Sequence, residues 1–404
     1  MLGFKSSHNS SKQIPVKFLA HEDIDEAYTS ENVNISIFGL SGYGGTFAAQ
    51  ILALRMQQQH IPTYILAPGT GKPDYLGICK NAGGAVVTLG YGAETHINVM
   101  EVRAPFSSDA NRTGIHSTLH TKVTALQAFF NIVVGDTGLN KEESTLVKSY
   151  LYQLYEDFGI VEDDTSLYIP GTKVYKDMPI LGNFYNKIKE CDELSRLTKK
   201  LELYVCGSMN FLNHQTDIDI TNKFFLFDLG ELHEKLSILQ DTRSVCLFAA
   251  YEVITGLIKE NSEKQKMLFI DEPWTFITHN ISEANYFEQT FIDGKKYNFG
   301  TLFATKEISD FFSMGDGTLG ERLVDGCDAK MCFHLSELFS NELMDRDKQF
   351  LGEEELDTLK VAKRGVCLLR TRAKRELITI DATEKEKDIV DWAFRAACEM
   401  SKKG

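Results

Sequence analysis

Short apolar runs separated by segments of helical periodicity dominate residues 33–100 of the chain. The runs have the length and composition of buried strands. They are Ile35–Phe38, Thr63–Ala67 and Ala85–Leu89. Between the first two runs, Phe47, Ile51 and Leu54 recur at the spacing of one helix face, which predicts a helix over Phe47–Gln58. Strands that alternate with helices favour a parallel sheet covered on both faces.

The middle of the chain, residues 117–202, has helical periodicity throughout. The predicted helices are Leu119–Val133, Glu142–Phe158 and Asn183–Leu201. Gly135, Gly138 and Gly159 lie where such helices would end. We therefore predict an inserted helical subdomain over 117–202, between the two parts of a main domain at 33–116 and 203–404. The polar residues 1–32 are interpreted as a lead-in with one strand, Pro15–Leu19.

The strand and helix pattern returns after the insertion. The predicted strands are Lys223–Asp228, Lys266–Ile270, Thr301–Thr305 and the two arms of a hairpin, Gly365–Arg370 and Glu376–Ile380. The predicted helices are Ser244–Ile258 and, near the end of the chain, Glu384–Met400. The predicted fold class is therefore α/β, with a mostly parallel sheet, helices on both faces and an inserted helical subdomain.

Composition narrows the class of protein without changing this fold. The 404 residues are 43% hydrophobic and 25% charged, as in soluble globular proteins, and no apolar run is long enough to span a bilayer. The N-terminal residues lack the apolar segment of a signal peptide. A net charge of −14 argues against a generally basic surface, so direct nucleic-acid binding is not indicated. Eight cysteines without a C-x-x-C pair indicate free thiols in the cytoplasm.

A glycine-rich loop follows the first predicted strand and opens the first predicted helix, as a phosphate-binding loop does. Its candidate nucleotide-binding residues are Gly39, Ser41, Gly42, Gly44, Gly45 and Thr46. Glycines let backbone N–H groups curl around an anion, and the helix N-terminus adds a partial positive charge. The motif has Lys before its final Ser or Thr, and this chain has Gly45 there. The loop therefore lacks the cation that grips the terminal phosphates.

Two carboxylates follow the strand predicted at Lys266–Ile270. In an open α/β sheet, ligands bind at the carboxyl ends of strands, where Asp271 and Glu272 emerge. Asp271 and the hydroxyl of Thr46 are the candidate Mg²⁺ ligands, because Mg²⁺ prefers oxygen. Glu272 is the candidate that orients or deprotonates the attacking water. A glycine loop followed far downstream by such a pair predicts binding of ATP with Mg²⁺.

Two lysines are candidates to replace the missing loop cation. Lys306 follows the strand Thr301–Thr305, and a polar residue at that strand end can sense the γ-phosphate. A solvated lysine is the alternative interpretation. Lys72 lies in Ala67–Pro73, which looks like a second phosphate loop, although Pro73 stands at the Ser/Thr position. This loop follows the strand after the first helix and would border the same pocket.

Six stretches of the chain match the pattern of one family. They are Gly39–Ala49, Gly83–Asn98, Gly207–Leu229, Leu268–Trp274, Gly300–Phe311 and Arg364–Gly365. From about Val33 to Ile380, the chain resembles the C-terminal motor domain of the large conjugation ATPase of bacterial type IV secretion. This ATPase belongs to the HerA/FtsK branch of RecA-like P-loop proteins.

The resemblance implies a RecA-like fold that binds ATP and Mg²⁺. It implies a homo-oligomeric ring, a hexamer in the family, that hydrolyses ATP to drive pilus assembly or substrate transfer. Other secretion-system subunits are the implied partners, and they would hold the protein at the cytoplasmic face of the inner membrane. In such a ring Arg364 is a candidate to reach the nucleotide of a neighbouring subunit.

The departures from the family pattern fall at the predicted active site. Gly45 replaces the loop Lys, and Lys306 stands where the family usually has a sensor Gln. Ala67 and Gly69 stand in place of an acidic sequence of the Asp-Pro-Glu type. Family members usually carry an N-terminal domain for membrane and partner contacts, so we expect this chain to be a fragment or a reduced relative.

These residues leave two functions open within a conjugative secretion apparatus. The first is a pseudo-ATPase, a scaffold or regulator whose ATP hydrolysis is weak or absent. The second is an active Mg-dependent ATPase in which Lys72 or Lys306 compensates for Gly45. The coincidence of several losses favours the first function, and the retained pair Asp271 and Glu272 keeps the second open. An unrelated soluble α/β protein is the third interpretation.

Overall fold

One mixed sheet runs through the described part of the chain. In chain order its strands are β1 (Gly3–Ser6), β2 (Ile35–Phe38), β3 (Thr63–Ala67), β4 (Ala85–Thr88), β5 (Phe224–Asp228), β6 (Lys266–Asp271), β7 (Phe299–Thr305), β8 (Ala329–Cys332), β9 (Val366–Thr371) and β10 (Arg375–Asp381). The computed structural model describes residues 3–6, 33–67, 75–90, 93–105, 113–114, 117–135, 137–218, 222–228, 240–260, 265–275, 281–294, 296–306, 308–312, 314, 318–335, 351–371 and 375–390.

The order of the strands across the sheet is β1-β10-β9-β8-β2-β7-β6-β3-β5-β4. All neighbours from β4 to β8 are parallel. The other three strands, β9, β10 and β1, extend the sheet in antiparallel fashion. The predicted α/β class with a mostly parallel sheet is therefore confirmed, and so is the predicted hairpin, which is formed by β9 and β10.

Helices cover both faces of the sheet. They are α1 (Gly45–Gln58), α2 (Leu76–Asn81), α3 (Thr118–Val134), α4 (Lys141–Asp157), α5 (Leu181–Ile188), α6 (Ser195–Val205), α7 (Gln240–Glu260), α8 (Ile281–Asp293), α9 (Ile308–Phe312), α10 (Thr318–Asp325) and α11 (Glu353–Lys360). Residues of α1 and α2, such as Ile51 and Ile78, share a core with one face of the sheet. Residues of α3 and α7, such as Phe129 and Phe248, share a core with the other face. Because both faces are covered, the central strands are buried along almost their whole length.

The carboxyl ends of β2, β7 and β6 meet at one edge of the sheet. Phe38, the last residue of β2, is in register with Thr305, the last residue of β7. Asp271, the last residue of β6, is in register with Ala304 of β7. Neighbouring strands lie about 4.8 Å apart, so the segments that follow these three strands start within roughly 10 Å of one another. The glycine loop, the acidic pair and Lys306 therefore begin side by side.

One predicted helix, Asn183–Leu201, is wrong. The chain forms α5 as far as Ile188, then a short 3₁₀ turn over Asp192–Leu194, and then α6. The apolar spacing explains the break, because Ile188 and Leu194 are six positions apart and do not fall on one helix face. The other predicted helices and strands on described residues are present, with ends shifted by a few residues.

Several predictions lie partly or wholly outside the described residues. The strand Pro15–Leu19 does so, as does the end of the predicted terminal helix, of which residues 384–390 are helical. The inserted subdomain at 117–202 stays a prediction, although this segment is helical and α3 also shares a core with α7. Among the described helices, none combines the length and apolar character that crossing a membrane requires.

Candidate functional site

The glycine loop connects β2 to α1. Gly39, Gly42 and Gly44 have φ values of 152°, 92° and 116°, a region that residues with a Cβ seldom adopt. Gly44 is the N-cap of α1, and the first turn of this helix contains no acidic side chain. The first N–H groups of a helix lack intrahelical acceptors and carry the positive end of its dipole. The loop therefore has the backbone donors and the charge that a phosphate group requires.

Two glycines of the loop allow a close approach of the neighbouring backbone. A Cβ added to Gly39 would lie 2.4 Å from Cβ of Phe333, the residue after β8. A Cβ added to Gly44 would lie 3.3 Å from Cα of Gly365, the residue before β9. By contrast, a Cβ on Gly42 would have no neighbour within 4 Å. The loop is therefore packed on one side and open on the other.

Hydrogen bonds and a ring contact fix the loop on its packed side. The Leu40 N–H donates to the His334 carbonyl at 3.0 Å, and the Gly365 N–H donates to the Tyr43 carbonyl at 2.8 Å. The Tyr43 ring stacks on the His334 ring with 3.9 Å between centroids. The segments on either side of the β8 and β9 ends thus hold the loop in one conformation.

Gly45 is glycine for no steric reason. A Cβ at this position would lie 3.5 Å from Cγ2 of Ile37 and 3.9 Å from Cδ2 of Phe333, which are ordinary van der Waals distances. Its φ is not in the left-handed region. The backbone therefore accepts a Cβ at position 45, so packing around this atom does not require glycine. Thr46 follows in the first turn of α1 and is partly exposed.

Glu272 is held in place at the end of β6. Its side chain is 5% exposed, and its φ of 49° is in the left-handed region. Its backbone N–H donates to the Ala304 carbonyl at 2.8 Å. Its Oε2 accepts hydrogen bonds from the Thr305 hydroxyl at 3.0 Å and from the Trp274 indole at 2.8 Å. Backbone conformations of this kind cost about 1–3 kcal/mol and cluster at functional sites.

Lys306 contacts the other oxygen of the same carboxylate. Its Nζ lies 3.2 Å from Oε1 of Glu272, and its side chain is 47% exposed. The structure therefore brings together two of the predicted site residues, Glu272 and Lys306, as an ion pair. Asp271 is adjacent in sequence and is partly exposed at the same edge.

Arg243 is a second cation near Glu272, and sequence analysis missed it. It lies in the first turn of α7, which starts at the carboxyl edge because it leads from the end of β5 to the start of β6. Burial lowers the pKa of Arg243, and the charge of Glu272 opposes this shift without cancelling it. Its Nε is buried and has no hydrogen-bond partner among the described residues.

The remaining predicted cations are placed differently. Lys72 lies outside the described residues, as does Gly69. Arg364 is exposed and directly precedes Gly365, so it lies beside the loop of its own chain. Its predicted role toward a neighbouring subunit stays a prediction.

A Mg²⁺ ion would depend on few protein ligands at this edge. Among the described residues, no group of three or more His, Cys, Asp and Glu side chains is arranged to hold a metal ion. Mg²⁺ in phosphate-transfer sites is held by one or two protein oxygens, substrate phosphates and water. The Thr46 hydroxyl and the Asp271 carboxylate have this chemistry and follow strands that are two positions apart in the sheet.

These features define a P-loop protein of the RecA-like type. A glycine loop follows one central parallel strand, an acidic pair follows another, and a polar residue follows the strand between them. The model of the TraG P-loop domain family matches residues 9–361, so the chain belongs to this family. The resemblance to the motor domain of the conjugation ATPase is thereby confirmed.

Solved structures share the fold over nearly the whole chain. The structure of VirB4 of Thermoanaerobacter pseudethanolicus is 21% identical, with a TM-score of 0.78 over 96% of this chain and 97% of that chain. The bacterial conjugative coupling protein TrwB is 10% identical, with a TM-score of 0.54 over 86% of this chain and 84% of that chain. The comparison with curated proteins gave no match. The two solved structures thus share the fold of this member of the TraG P-loop domain family.

Proposed function

We propose that this protein binds ATP with Mg²⁺ in a conjugative type IV secretion apparatus and hydrolyses it weakly, because Gly45 replaces the loop lysine. One observation carries the proposal. The register of β2, β7 and β6 sets the glycine loop and the pair Asp271 and Glu272 at one sheet edge, while the cation position in the loop has no side chain.

Relatives support the nucleotide part of the proposal. TrwB has been solved in complex with the non-hydrolysable analogues GDPNP and ADPNP, and with ADP and Mg²⁺. In the present chain the loop N–H groups would bind phosphate oxygens, and Thr46 and Asp271 would hold the Mg²⁺. When bound, Mg²⁺ neutralises part of the phosphate charge.

The chain's own residues suggest why turnover is slow. Two unit charges about 4 Å apart interact by roughly 4 kcal/mol at an effective dielectric of 20, and each ~1.4 kcal/mol of lost transition-state stabilisation is about tenfold in rate. Losing the loop lysine therefore lowers hydrolysis by about two to three orders of magnitude. Glu272 would orient the attacking water, but the Lys306 ammonium group already contacts one of its oxygens and competes with the water for it.

A second candidate function is an active ATPase in which Lys306 compensates for Gly45. The observation that favours it is the position of Lys306, which is close to the acidic pair and 47% exposed. An approaching triphosphate would compete with Glu272 for this ammonium group. The same ion pair thus supports opposite functions, depending on which partner the lysine prefers once nucleotide is bound.

The proposal extends to assembly. The family resemblance supports a ring of identical subunits, a hexamer, in which Arg364 reaches a neighbouring nucleotide. Other secretion-system subunits would hold this ring at the cytoplasmic face of the membrane.

Calorimetric titration with ATP, with and without Mg²⁺, tests the proposed binding. We expect saturable binding of ATP that Mg²⁺ strengthens, and weaker binding in Asp271→Asn and Thr46→Ala. Thr145→Ala is a matched control, because this exposed threonine lies on α4. Absence of binding at ATP concentrations up to about 1 mM, the top of the usual range for such substrates, contradicts the proposal.

A further inference from the structure

Arg243 is a partly buried cation close to the acidic pair. Its Nε is shielded from solvent and has no hydrogen-bond partner among the described residues. Burying a charged or polar group without a partner is costly, so such groups are rare unless they serve a ligand. An arginine of this kind at the carboxyl edge of a nucleotide-binding sheet requires an explanation.

Glu272 is the acidic group that interacts electrostatically with Arg243, but it is shared among several donors. One of its oxygens accepts hydrogen bonds from Thr305 and Trp274, and the other pairs with Lys306. The negative charge of Glu272 is therefore shared between Arg243 and Lys306. Additional negative charge at this edge would be stabilised by both cations.

The position of Arg243 fits the place of such a charge. The arginine is in the first turn of α7, at the same sheet edge as the glycine loop. Its acidic neighbour Glu272 bonds to Thr305, which is in register with the residue just before the loop. Arg243 therefore interacts electrostatically with a carboxylate that lies beside the phosphate-binding backbone.

We propose that Arg243 binds the terminal phosphates of the nucleotide within its own subunit and takes over the binding role, but not the catalytic role, of the lysine missing at Gly45. This inference rests on the proposed nucleotide binding. A guanidinium group suits the task, because its donors match two phosphate oxygens at once and it keeps its charge when partly buried. Lys306 is less suited, because its Nζ already has an acidic partner at 3.2 Å.

Binding of ATP, ADP and AMP to the parent protein and to Arg243→Gln tests the proposal. We expect the variant to bind ATP at least tenfold more weakly while its affinity for AMP, which lacks the terminal phosphates, stays within twofold. Arg375→Gln is the matched control, because Arg375 is at the hairpin turn on the opposite edge of the sheet and pairs with Glu355. It should leave all three affinities unchanged.

Two further measurements separate a ligand-binding arginine from a structural one. Thermal unfolding of nucleotide-free Arg243→Gln should show an unchanged or higher midpoint, because an incompletely paired buried charge is removed. Adding Gly45→Lys to Arg243→Gln should restore ATP affinity toward the parent value. A lower midpoint, with equal losses for ATP and AMP, indicates a structural role and overturns the proposal.

The outcomes for the two proposals differ. If the parent binds ATP and Arg243→Gln binds it equally well, only the role of Arg243 is refuted. If Lys306→Gln shows the selective loss of ATP affinity instead, the charge role belongs to Lys306 and the inference is likewise refuted. If the parent binds no nucleotide, the proposed function fails and the role of Arg243 fails with it.

Discussion

Lys306 and Glu272 form the contact on which the chemistry of the site depends most. The carboxylate is buried, whereas the lysine side chain is 47% exposed. The ammonium group contacts Oε1, while Oε2 accepts hydrogen bonds from Thr305 and Trp274, so both oxygens already have partners. The pair therefore limits Glu272 even when the loop cation is present.

Replacing Lys306 should remove the contact that restricts Glu272. In a Gly45→Lys background, we expect Lys306→Gln to raise the rate of ATP hydrolysis about threefold to tenfold over Gly45→Lys alone, because Oε1 of Glu272 can then accept a hydrogen bond from the attacking water. Single-turnover hydrolysis with the two variants measures the difference. A rate that falls instead means that Lys306 stabilises the transferred phosphate, as in the second candidate function.

At the residue scale, sequence patterns predicted the groups that belong to a motif and missed those that do not. Gly45, Asp271 and Glu272 follow predictable strands in fixed order, so their shared edge could be foreseen. Arg243 could not, because an arginine in a helix is ordinarily solvated, and only the fold shows that its Nε is buried. Trp274 was likewise missed, since its bond to Glu272 depends on the left-handed backbone at that residue.

At the scale of elements, α1 is anchored at its far end by a buried ion pair. Arg55 in the last turn of α1 is 2% exposed, and Glu386 in the helical segment 384–390 is 6% exposed. Two nitrogens of the Arg55 guanidinium group, Nε and Nη2, donate to the Glu386 carboxylate, the second at 2.8 Å from Oε2. Nη2 also donates to the Asp381 carbonyl at 3.0 Å. The loop helix is thus connected to the end of β10.

Breaking this pair should destabilise the protein. We expect Glu386→Gln to lower the free energy of unfolding by about 3 kcal/mol, because the buried Arg55 loses its counter-ion. The matched control is Glu384→Gln, since Glu384 pairs with Lys387 on the surface and is 86% exposed. Its effect should stay below about 0.5 kcal/mol. Urea unfolding measures both, and equal effects would contradict the anchoring role.

The same ion pair makes the stability of the protein depend on pH. Burial raises the pKa of Glu386, but hydrogen bonds from Arg55 and Thr383, together with the Arg55 charge, outweigh it and hold the pKa below its ordinary value. The stabilisation is therefore complete above the unfolded pKa of about 4.3 and is lost as the pH falls through the folded pKa. In Glu386→Gln the acid limb of the stability curve should be correspondingly flatter.

Element boundaries were predictable where one apolar face continues, and not elsewhere. The strand β8 was missed because it has four residues and includes Lys330, so its pattern is too short to separate from a loop. The helix predicted over Asn183–Leu201 is in fact two helices, α5 and α6, whose apolar faces differ. In both cases neighbouring elements decide the outcome, since β8 forms only by pairing with β2 and β9.

At the scale of the whole molecule, the parallel sheet retains the arrangement of a motor domain. Seven strands run in parallel and share a carboxyl edge, and the antiparallel strands β9, β10 and β1 extend the side that supports the loop. The fold and its family were predictable because these strands are apolar and follow a fixed order. Whether the site turns over ATP depends on individual charges, which the fold does not determine.

The central claim is that the motor scaffold is intact and that the missing loop cation limits hydrolysis. The most direct measurement is the steady-state rate of phosphate release from ATP by the parent protein and by Gly45→Lys. Each of the two is compared with the same protein carrying Glu272→Gln in addition. We predict slow release by the parent and an increase of at least tenfold in Gly45→Lys that Glu272→Gln abolishes. Equal rates in the parent and Gly45→Lys, both dependent on Glu272, would contradict the account.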